Sequence, residues 1–374
     1  MIERKYVESL TGLRGFAAVF VMLYHYRLYI LTGGRLQTAL EHGYLGVDLF
    51  FVLSGFVMSM TYRDMFVDKY KIRQHLYFLG LRLARLYPIY AIVTIATIIV
   101  RIVVHGFSAA GSPREIICNA LLIQNWGLSR SIVGPAWSIS VEWALYLLFP
   151  FLAVLVLLRR PRWGALLGIM SVVSLFALAF LPESIVRISR YKGPMDIVNP
   201  FEPGALIRGI SEFILGMLAW RISQTSVANT IRYRNWPAIF AFLILTVSLC
   251  VNNADVFVVT VFPAVLILIS EPSTLAARIL SSRPVLWSGD ISYSLYLLHQ
   301  LAGDLSTSLL KHVIHLTGSH VFIWYAVALS TAFCAANCSY RYIEKPSRKR
   351  LRTLIESGGW LRVQPEPNLL MTRK

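Results

Sequence analysis

Arg14 and His25 lie eleven residues apart within the first long apolar run of the chain, Leu10–Ile30. At 3.6 residues per turn this spacing is almost three full helical turns, so both side chains share one face, about 16 Å apart along the axis. Ionisable groups inside a membrane-spanning helix are costly and usually mark a functional path. A fixed cation at one end and a group that titrates near neutral pH at the other predict a reaction path across the membrane. Alternatively, Arg14 snorkels to the headgroups and His25 only bonds a neighbouring helix.

The composition is that of an integral membrane protein, since 56% of the 374 residues are hydrophobic and the mean hydropathy is +0.60. Apolar stretches of about 15–20 residues, parted by charged clusters, predict an all-α polytopic bundle of about ten transmembrane helices. The candidate spans are 10–30, 45–62, 86–104, 138–158, 164–181, 205–221, 236–252, 256–270, 286–303 and 322–340. Lys and Arg concentrate in alternate connecting segments, which predicts that both termini are cytoplasmic.

The net charge of +17 therefore indicates topology and a surface for anionic partners, and we expect no nucleic acid partner. We predict a multi-pass protein of the plasma membrane, a bacterial inner membrane, in contact with membrane lipids. A membrane domain covers 7–345, and a basic cytoplasmic tail covers 346–374 and is only partly ordered. The four cysteines lie mostly within apolar runs and have no metal-ligand spacing, so no metal is predicted. The oligomeric state is left open.

Asp48 opens the second predicted span at the end where the first span finishes. A short connection makes these two helices antiparallel neighbours, so a contact between Asp48 and His25 is geometrically easy. A carboxylate that orients an imidazole is the usual support of a general base, and we predict both residues as catalytic. Asp48 could equally cap the N-terminus of its own helix.

Arg82 and Arg85 lie one helical turn apart at the inner end of the third predicted span. Two guanidiniums spaced i and i+3 form a fork suited to phosphates, and with Lys71 and Arg73 nearby they could hold a polyphosphorylated molecule. Topology alone also explains basic residues at this place.

Polar residues open the fourth predicted span at Trp137, Ser138, Ser140 and Glu142. A carboxylate that points into a span is costly unless it has a task, so we predict Glu142 in the catalytic site, with Trp137 and Ser140 binding the substrate. Ser140 lacks the Gly-x-Ser-x-Gly setting of a nucleophile. Helix capping is the alternative role for Ser138 and Glu142.

The ninth predicted span carries a polar stripe of Ser292, Tyr296 and His299, which follow an i, i+4, i+7 pattern on one face. His299 reaches a depth similar to that of His25, and we predict it as a further substrate-binding member of the site. Hydrogen bonds between packed helices are the alternative explanation of the serine and the tyrosine.

These segments together resemble the membrane-bound acyltransferase 3 family. The resemblance runs from about residue 7 to 350, and six motifs in order make it specific. They are Leu10-Thr11-Gly12-Leu13-Arg14-Gly15 with His25, Gly46-Val47-Asp48-Leu49-Phe50-Phe51-Val52-Leu53-Ser54-Gly55-Phe56, Arg82-x-x-Arg85-Leu86-Tyr87-Pro88, Trp137-Ser138-x-Ser140-Val141-Glu142, Ser292-Tyr293-Ser294-Leu295-Tyr296-Leu297-Leu298-His299, and Glu344-Lys345-Pro346.

The resemblance implies O-acylation, most simply O-acetylation, of an extracytoplasmic glycan or glycolipid such as an exopolysaccharide or lipopolysaccharide. The donor it implies is acetyl-CoA or another acyl-CoA, bound from the cytoplasm as a substrate, with no tightly bound cofactor. It assigns Arg14, Arg82 and Arg85 to donor binding and His25 to the essential histidine. His25 would either deprotonate the acceptor hydroxyl or accept the acyl group itself. Glu142 is followed by Trp143, where many members have a second Glu, so we expect no paired carboxylates.

A transporter or flippase of a glycolipid or small anion is the alternative from another class. Ten spans and intramembrane charges fit such a protein. Transporters often contain two related halves with Gly- or Pro-broken helices, and we find no such repeat. Among enzymes, a glycan polymerase or ligase that uses a lipid-linked sugar is the second choice.

Overall fold

The computed structural model describes residues 7–27, 34–66, 70–158, 160–310 and 321–357. In these ranges the chain is helical and contains no β-strand, which confirms the all-α prediction. The helices are α1 (Glu8–Tyr26), α2 (Gly34–Glu41), α3 (Gly46–Tyr62), α4 (Ile72–His105), α5 (Pro113–Ala120), α6 (Trp137–Leu152), α7 (Pro161–Phe180), α8 (Glu183–Val186), α9 (Gly204–Ser223), α10 (Ser226–Arg232), α11 (Asn235–Leu249), α12 (Asp255–Ile269), α13 (Leu275–Leu280), α14 (Arg283–Asp290), α15 (Ser292–Ser308), α16 (Val321–Ser339) and α17 (Lys345–Ser357).

Helical structure occurs at all ten predicted spans, although the last residues of the first span, 28–30, lie outside the described ranges. Within those ranges, four helical segments are long and apolar enough to cross a membrane: Gly34–Phe66, Ile72–His105, Gly134–Leu158 and Pro161–Phe180. The molecule is therefore a helical membrane bundle. The number of crossings and the side of each terminus stay predictions.

Three boundaries differ from the predicted ones. α4 begins at Ile72 rather than near residue 86, because the charged residues that end the apolar run are also good helix formers. The predicted span 286–303 is interrupted at Ile291, between α14 and α15. Part of the predicted tail is the helix α17, while 358–374 lies outside the described residues.

α3 and α9 pack closely because glycines face each other's backbone. A Cβ added at Gly55 would lie 2.0 Å from the Phe213 carbonyl oxygen, and one at Gly216 would lie 1.9 Å from that of Val52. Only glycine permits this approach. The crossing brings the first turn of α3 beside the first turns of α9, where the buried side chains of Asp48, Arg208 and Glu212 meet.

α1 passes through the middle of the bundle and contacts α3, α14 and α15. Its approach to α14 also depends on a glycine, since a Cβ at Gly289 would lie 2.1 Å from the Thr11 carbonyl oxygen. This contact places Arg14 against the end of α14. The face of α1 that carries the two predicted site residues therefore lies inside the protein.

Candidate active site

Three cavities follow one another through the bundle beside α1. The arginine cavity has a volume of about 200 Å³, the middle cavity about 100 Å³ and the histidine cavity, which contains His25, about 370 Å³. In the described part of the chain, four arginines line the arginine cavity: Arg14, Arg82, Arg85 and Arg348.

Neighbouring cavities share wall residues, so they adjoin. Arg14 and Arg85 line both the arginine and the middle cavity. Val47 and Tyr296 line both the middle and the histidine cavity. The path predicted along α1 between Arg14 and His25 thus follows a row of cavities in the folded chain.

The three arginines predicted to bind a donor lie on one cavity wall. The Arg14 guanidinium donates from Nε to Ser292 Oγ at 2.8 Å and from Nη2 to the Gly289 carbonyl at 2.7 Å, so it faces the bundle interior. Arg82 is buried and donates from Nη2 to the Tyr62 hydroxyl at 2.5 Å. These bonds fix both side chains in place, which suits a site that recognises anions.

His25 is paired with His299, which we predicted at a similar depth as a substrate-binding residue but which lines none of the three cavities. His299 Nε2 lies 3.1 Å from His25 Nδ1. His299 Nδ1 lies 2.7 Å from the Tyr296 carbonyl, and His25 Nδ1 lies 2.9 Å from the Val21 carbonyl. His299 is fully buried, whereas His25 also lines the histidine cavity.

The carbonyl oxygens beside the two rings determine which ring nitrogens of His25 and His299 carry a proton. A carbonyl only accepts, so in neutral rings Nδ1 of His299 carries a proton and its Nε2 keeps a lone pair. Nδ1 of His25 is then also protonated and shares its proton between Val21 and His299. The remaining nitrogen, Nε2 of His25, keeps its lone pair, and this is the state that a general base or nucleophile requires.

The predicted contact between Asp48 and His25 is wrong. Asp48 accepts from Arg208 through both carboxylate oxygens, with 2.7 Å between Arg208 Nε and Asp48 Oδ1. Glu212 lies 3.5 Å from the same guanidinium, and all three side chains are buried. Asp48 does not cap α3 either, since its carboxylate is taken up by an arginine 160 residues away. His25 is oriented by another histidine instead.

Glu142, which we predicted as catalytic, lines the middle cavity with Arg85 and does not line the histidine cavity. The Tyr146 hydroxyl donates to its Oε1, and Ser54 Oγ donates to the same oxygen at 3.4 Å. Glu142 therefore has the polar partners that a carboxylate in a span needs. It lies on the path between the arginines and His25.

Of the two residues predicted to bind substrate here, Trp137 lines the histidine cavity, whereas Ser140 lines none of the three cavities. The buried Ser140 hydroxyl donates to the Leu122 carbonyl at 2.9 Å and accepts from the Asn125 backbone N–H at 3.1 Å. It holds the turn after α5 against α6. The position of its hydroxyl gives Ser140 a structural role.

Ser140→Ala should therefore destabilise the protein without slowing the reaction. The change leaves a buried N–H and a buried carbonyl unpaired, at a cost of about 1–3 kcal/mol in the free energy of unfolding. Thermal unfolding in detergent measures the loss of stability. A variant with normal thermal stability and lost activity would contradict this role.

Several residues of the histidine cavity escaped the sequence analysis: Tyr24, Arg27, Tyr44, Tyr191, Asp196, Arg208 and Gln300. Asp196 accepts from the Tyr24 hydroxyl at 2.9 Å, and burial raises the pKa of its carboxyl. Asp196 lies in a connecting segment where the sequence contains no periodic signal. Arg208 did carry a signal, as a cation inside an apolar run, but the sequence does not reveal its partner.

The architecture and the site define a class, a helical membrane bundle with a row of cavities that runs from an arginine cluster to a pair of histidines. The family model described as an acyltransferase domain matches residues 7–337, and the chain belongs to this family. This membership favours the acyltransferase interpretation over the transporter.

Curated relatives cover most of the chain. The O-acetyltransferase OatA of Staphylococcus aureus is 26% identical over 379 residues, which cover 94% of this chain and 58% of the relative. The peptidoglycan O-acetyltransferase OatA of Listeria monocytogenes is 26% identical over 369 residues, 93% of this chain and 56% of the relative. The chain thus spans little more than half the length of these proteins. No solved structure matches.

Proposed function

We propose that this protein is a membrane O-acyltransferase that moves an acyl group, most simply acetyl, from acyl-CoA to a hydroxyl of a glycan or glycolipid. The observation that carries the proposal is the row of adjoining cavities that begins at four arginines and ends at His25. Family membership supplies the reaction class, and the cavities supply a place for each substrate.

The donor would enter from the arginine cavity. Guanidiniums form strong, often bidentate hydrogen bonds with phosphate oxygens, so Arg14, Arg82 and Arg85 suit the nucleotide part of the donor. The slender pantetheine arm would extend through the middle cavity past Glu142. Arg14 and His25 are separated by about 16 Å along α1, a length comparable to that of the arm.

The chemistry would take place at His25. Its Nε2 would remove the proton from the acceptor hydroxyl while that oxygen attacks the thioester carbonyl. The carbon–sulfur bond would then break, and the proton on His25 would pass to the departing thiolate. In the second route, Nε2 itself attacks the thioester carbonyl and CoA leaves as the thiolate. The hydroxyl oxygen then attacks the acyl group, the bond between Nε2 and the acyl carbon breaks, and the hydroxyl proton passes to the thiolate. Both routes need the same unprotonated nitrogen.

The acceptor would bind in the histidine cavity, which is rich in aromatic rings. Trp137, Tyr24 and Tyr191 offer flat apolar faces for sugar rings, and Arg27 and Gln300 offer donors for sugar oxygens. Peptidoglycan, which the printed name of the Listeria relative specifies, is the first glycan to test.

The proposal includes the orientation of the chain in the membrane. The alternation of basic connecting segments supports ten crossings of a bacterial inner membrane with both termini in the cytoplasm. The arginine cavity would then open to the cytoplasmic pool of acyl-CoA, and the histidine cavity to the outside.

Acetyl transfer by the purified chain in lipid nanodiscs tests the proposal. The assay would supply acetyl-CoA with peptidoglycan fragments, exopolysaccharide or lipopolysaccharide sugars, and detect the acetylated glycan by mass spectrometry and the released thiol by colorimetry. We expect acceptor-dependent release of CoA together with a product heavier by one acetyl group. Free CoA without any acetylated product, or no reaction with any glycan, would contradict the proposal.

Arg85→Gln should raise the KM for acetyl-CoA by about tenfold or more, because it removes a charge-assisted contact with phosphate. The rate at saturating donor should change less. Arg114→Gln, a matched change at an exposed arginine of α5, is the control and should leave the KM unchanged. An equal KM for both variants would exclude Arg85 from the donor site.

A further inference from the structure

The helix α17 contributes an arginine to the wall of the arginine cavity, next to the arginines of α1 and α4. It contains five basic residues and one acid, and it lies outside the predicted spans. Arg348 lines the arginine cavity together with Arg14, Arg82 and Arg85. The first turn of the tail, which we predicted to be only partly ordered, therefore forms part of the cavity wall.

Both ends of α17 are anchored to the bundle. A π-helical turn, Tyr340–Glu344, leads into the helix, and its buried Glu344 accepts from Ser294 Oγ of α15 at 2.7 Å. Near the other end, Ile355 packs over Gly80 of α4, where an added Cβ would lie 3.4 Å from Ile355 Cδ1. These two contacts hold the first turn of α17, with Arg348, at the cavity.

The charges of the cavity favour a ligand with several negative groups. Among the described residues, four arginines line it, against a single carboxylate, that of Asp290. In a recess with low-dielectric walls, such clustering focuses the field and attracts anions. The nucleotide part of CoA carries a diphosphate and a 3′-phosphate, whereas a pantetheine thioester carries no phosphate there.

We propose that Arg348 binds the nucleotide phosphates of the donor, so that α17 makes the site select CoA thioesters over nucleotide-free thioesters. The inference rests on the proposed function for the identity of the donor. It adds a specificity-determining residue from a helix outside the predicted membrane domain. The three arginines on α1 and α4 bind phosphate where the pantetheine path begins, and Arg348 adds a fourth guanidinium to this phosphate site.

Equilibrium binding to the full chain in nanodiscs of zwitterionic lipid tests this inference. CoA and pantetheine are titrated against the wild type, Arg348→Ala, Arg348→Lys and Arg350→Ala. Arg350 is the matched control because two residues turn a helix by about 200°, which directs it to the opposite side, and it is exposed. We expect Arg348→Ala to weaken CoA binding about tenfold or more, Arg348→Lys to weaken it less, and Arg350→Ala to leave it unchanged. Pantetheine binding should be the same in all four proteins.

Equal weakening by the Arg348 and Arg350 variants, or equal loss of CoA and pantetheine binding, would overturn the inference. A second series in nanodiscs with phosphatidylglycerol distinguishes a lipid headgroup from the nucleotide as the source of phosphate. If Arg348→Ala weakens CoA binding only in the anionic nanodiscs, Arg348 binds a lipid headgroup, and this result would also overturn the inference. CoA binding that depends on Arg348 in a protein without transferase activity would contradict only the proposed function.

Discussion

Replacement of His25 by alanine should lower the rate of acyl transfer at saturating substrates by about 10²–10⁴-fold, the usual contribution of a positioned general base. The reason is that Nε2 of His25 keeps its lone pair through the bonds on the other ring nitrogen. CoA binding should persist, because the arginine cavity lies at the other end of the row. The measurement is the initial rate of glycan acetylation, with CoA affinity determined on the same preparation.

His105→Ala is the matched control, since His105 is an exposed histidine at the end of α4. It should retain the wild-type rate. If the His25 variant folds, binds CoA and acetylates glycan at a normal rate, then neither catalytic route through this histidine is tenable.

His299 acts on the reaction through His25. His299→Ala removes the acceptor that orients the His25 ring, and misplacement of a reacting group costs up to about 10²-fold in rate. His299→Gln keeps an amide oxygen that can accept the same hydrogen bond, so it should restore much of the rate. If glutamine and alanine are equally slow, His299 exchanges protons itself and does more than orient its neighbour.

The sequence predicted what depends on local spacing. Arg14 and His25 belong to one helix, so 3.6 residues per turn sufficed to place them on one face. The polar stripe of α15 followed from the same periodicity, and it placed His299 at the depth of His25. The apolar runs predicted that these segments are helices. They did not predict the start of α4, because charged residues end an apolar run without ending a helix.

Local spacing cannot predict contacts between distant parts of the chain. Asp48 has two possible partners by depth, His25 and Arg208, and only the close crossing of α3 and α9 selects the arginine. Glu142 lines the cavity next to that of His25, because its position depends on how α6 packs. Arg348 follows the last predicted span, and only the turn before α17 directs it to the cavity.

Arg208→Gln should produce the largest loss of stability of any single change discussed. The guanidinium is shared by Asp48 and Glu212, and all three groups are buried. Removing the cation leaves two carboxylates without their charge partner inside the bundle, and breaking a buried pair costs about 3–5 kcal/mol in the free energy of unfolding. A marked fall in the thermal unfolding midpoint, or loss of monodisperse protein in detergent, would record it.

The combined variant Arg208→Gln, Asp48→Asn, Glu212→Gln separates charge balance from packing. It removes all three charges and keeps the side-chain volumes at positions 48 and 212, so it should recover much of the stability that Arg208→Gln alone loses. Asp64→Asn, which breaks the exposed pair with Arg63, should leave the midpoint unchanged. Because Arg208 also lines the histidine cavity, a stable but inactive triple variant would show that the cation serves the acceptor site as well as the crossing of α3 and α9. A stable and active triple variant would mean that Arg208 is needed only to neutralise the two carboxylates.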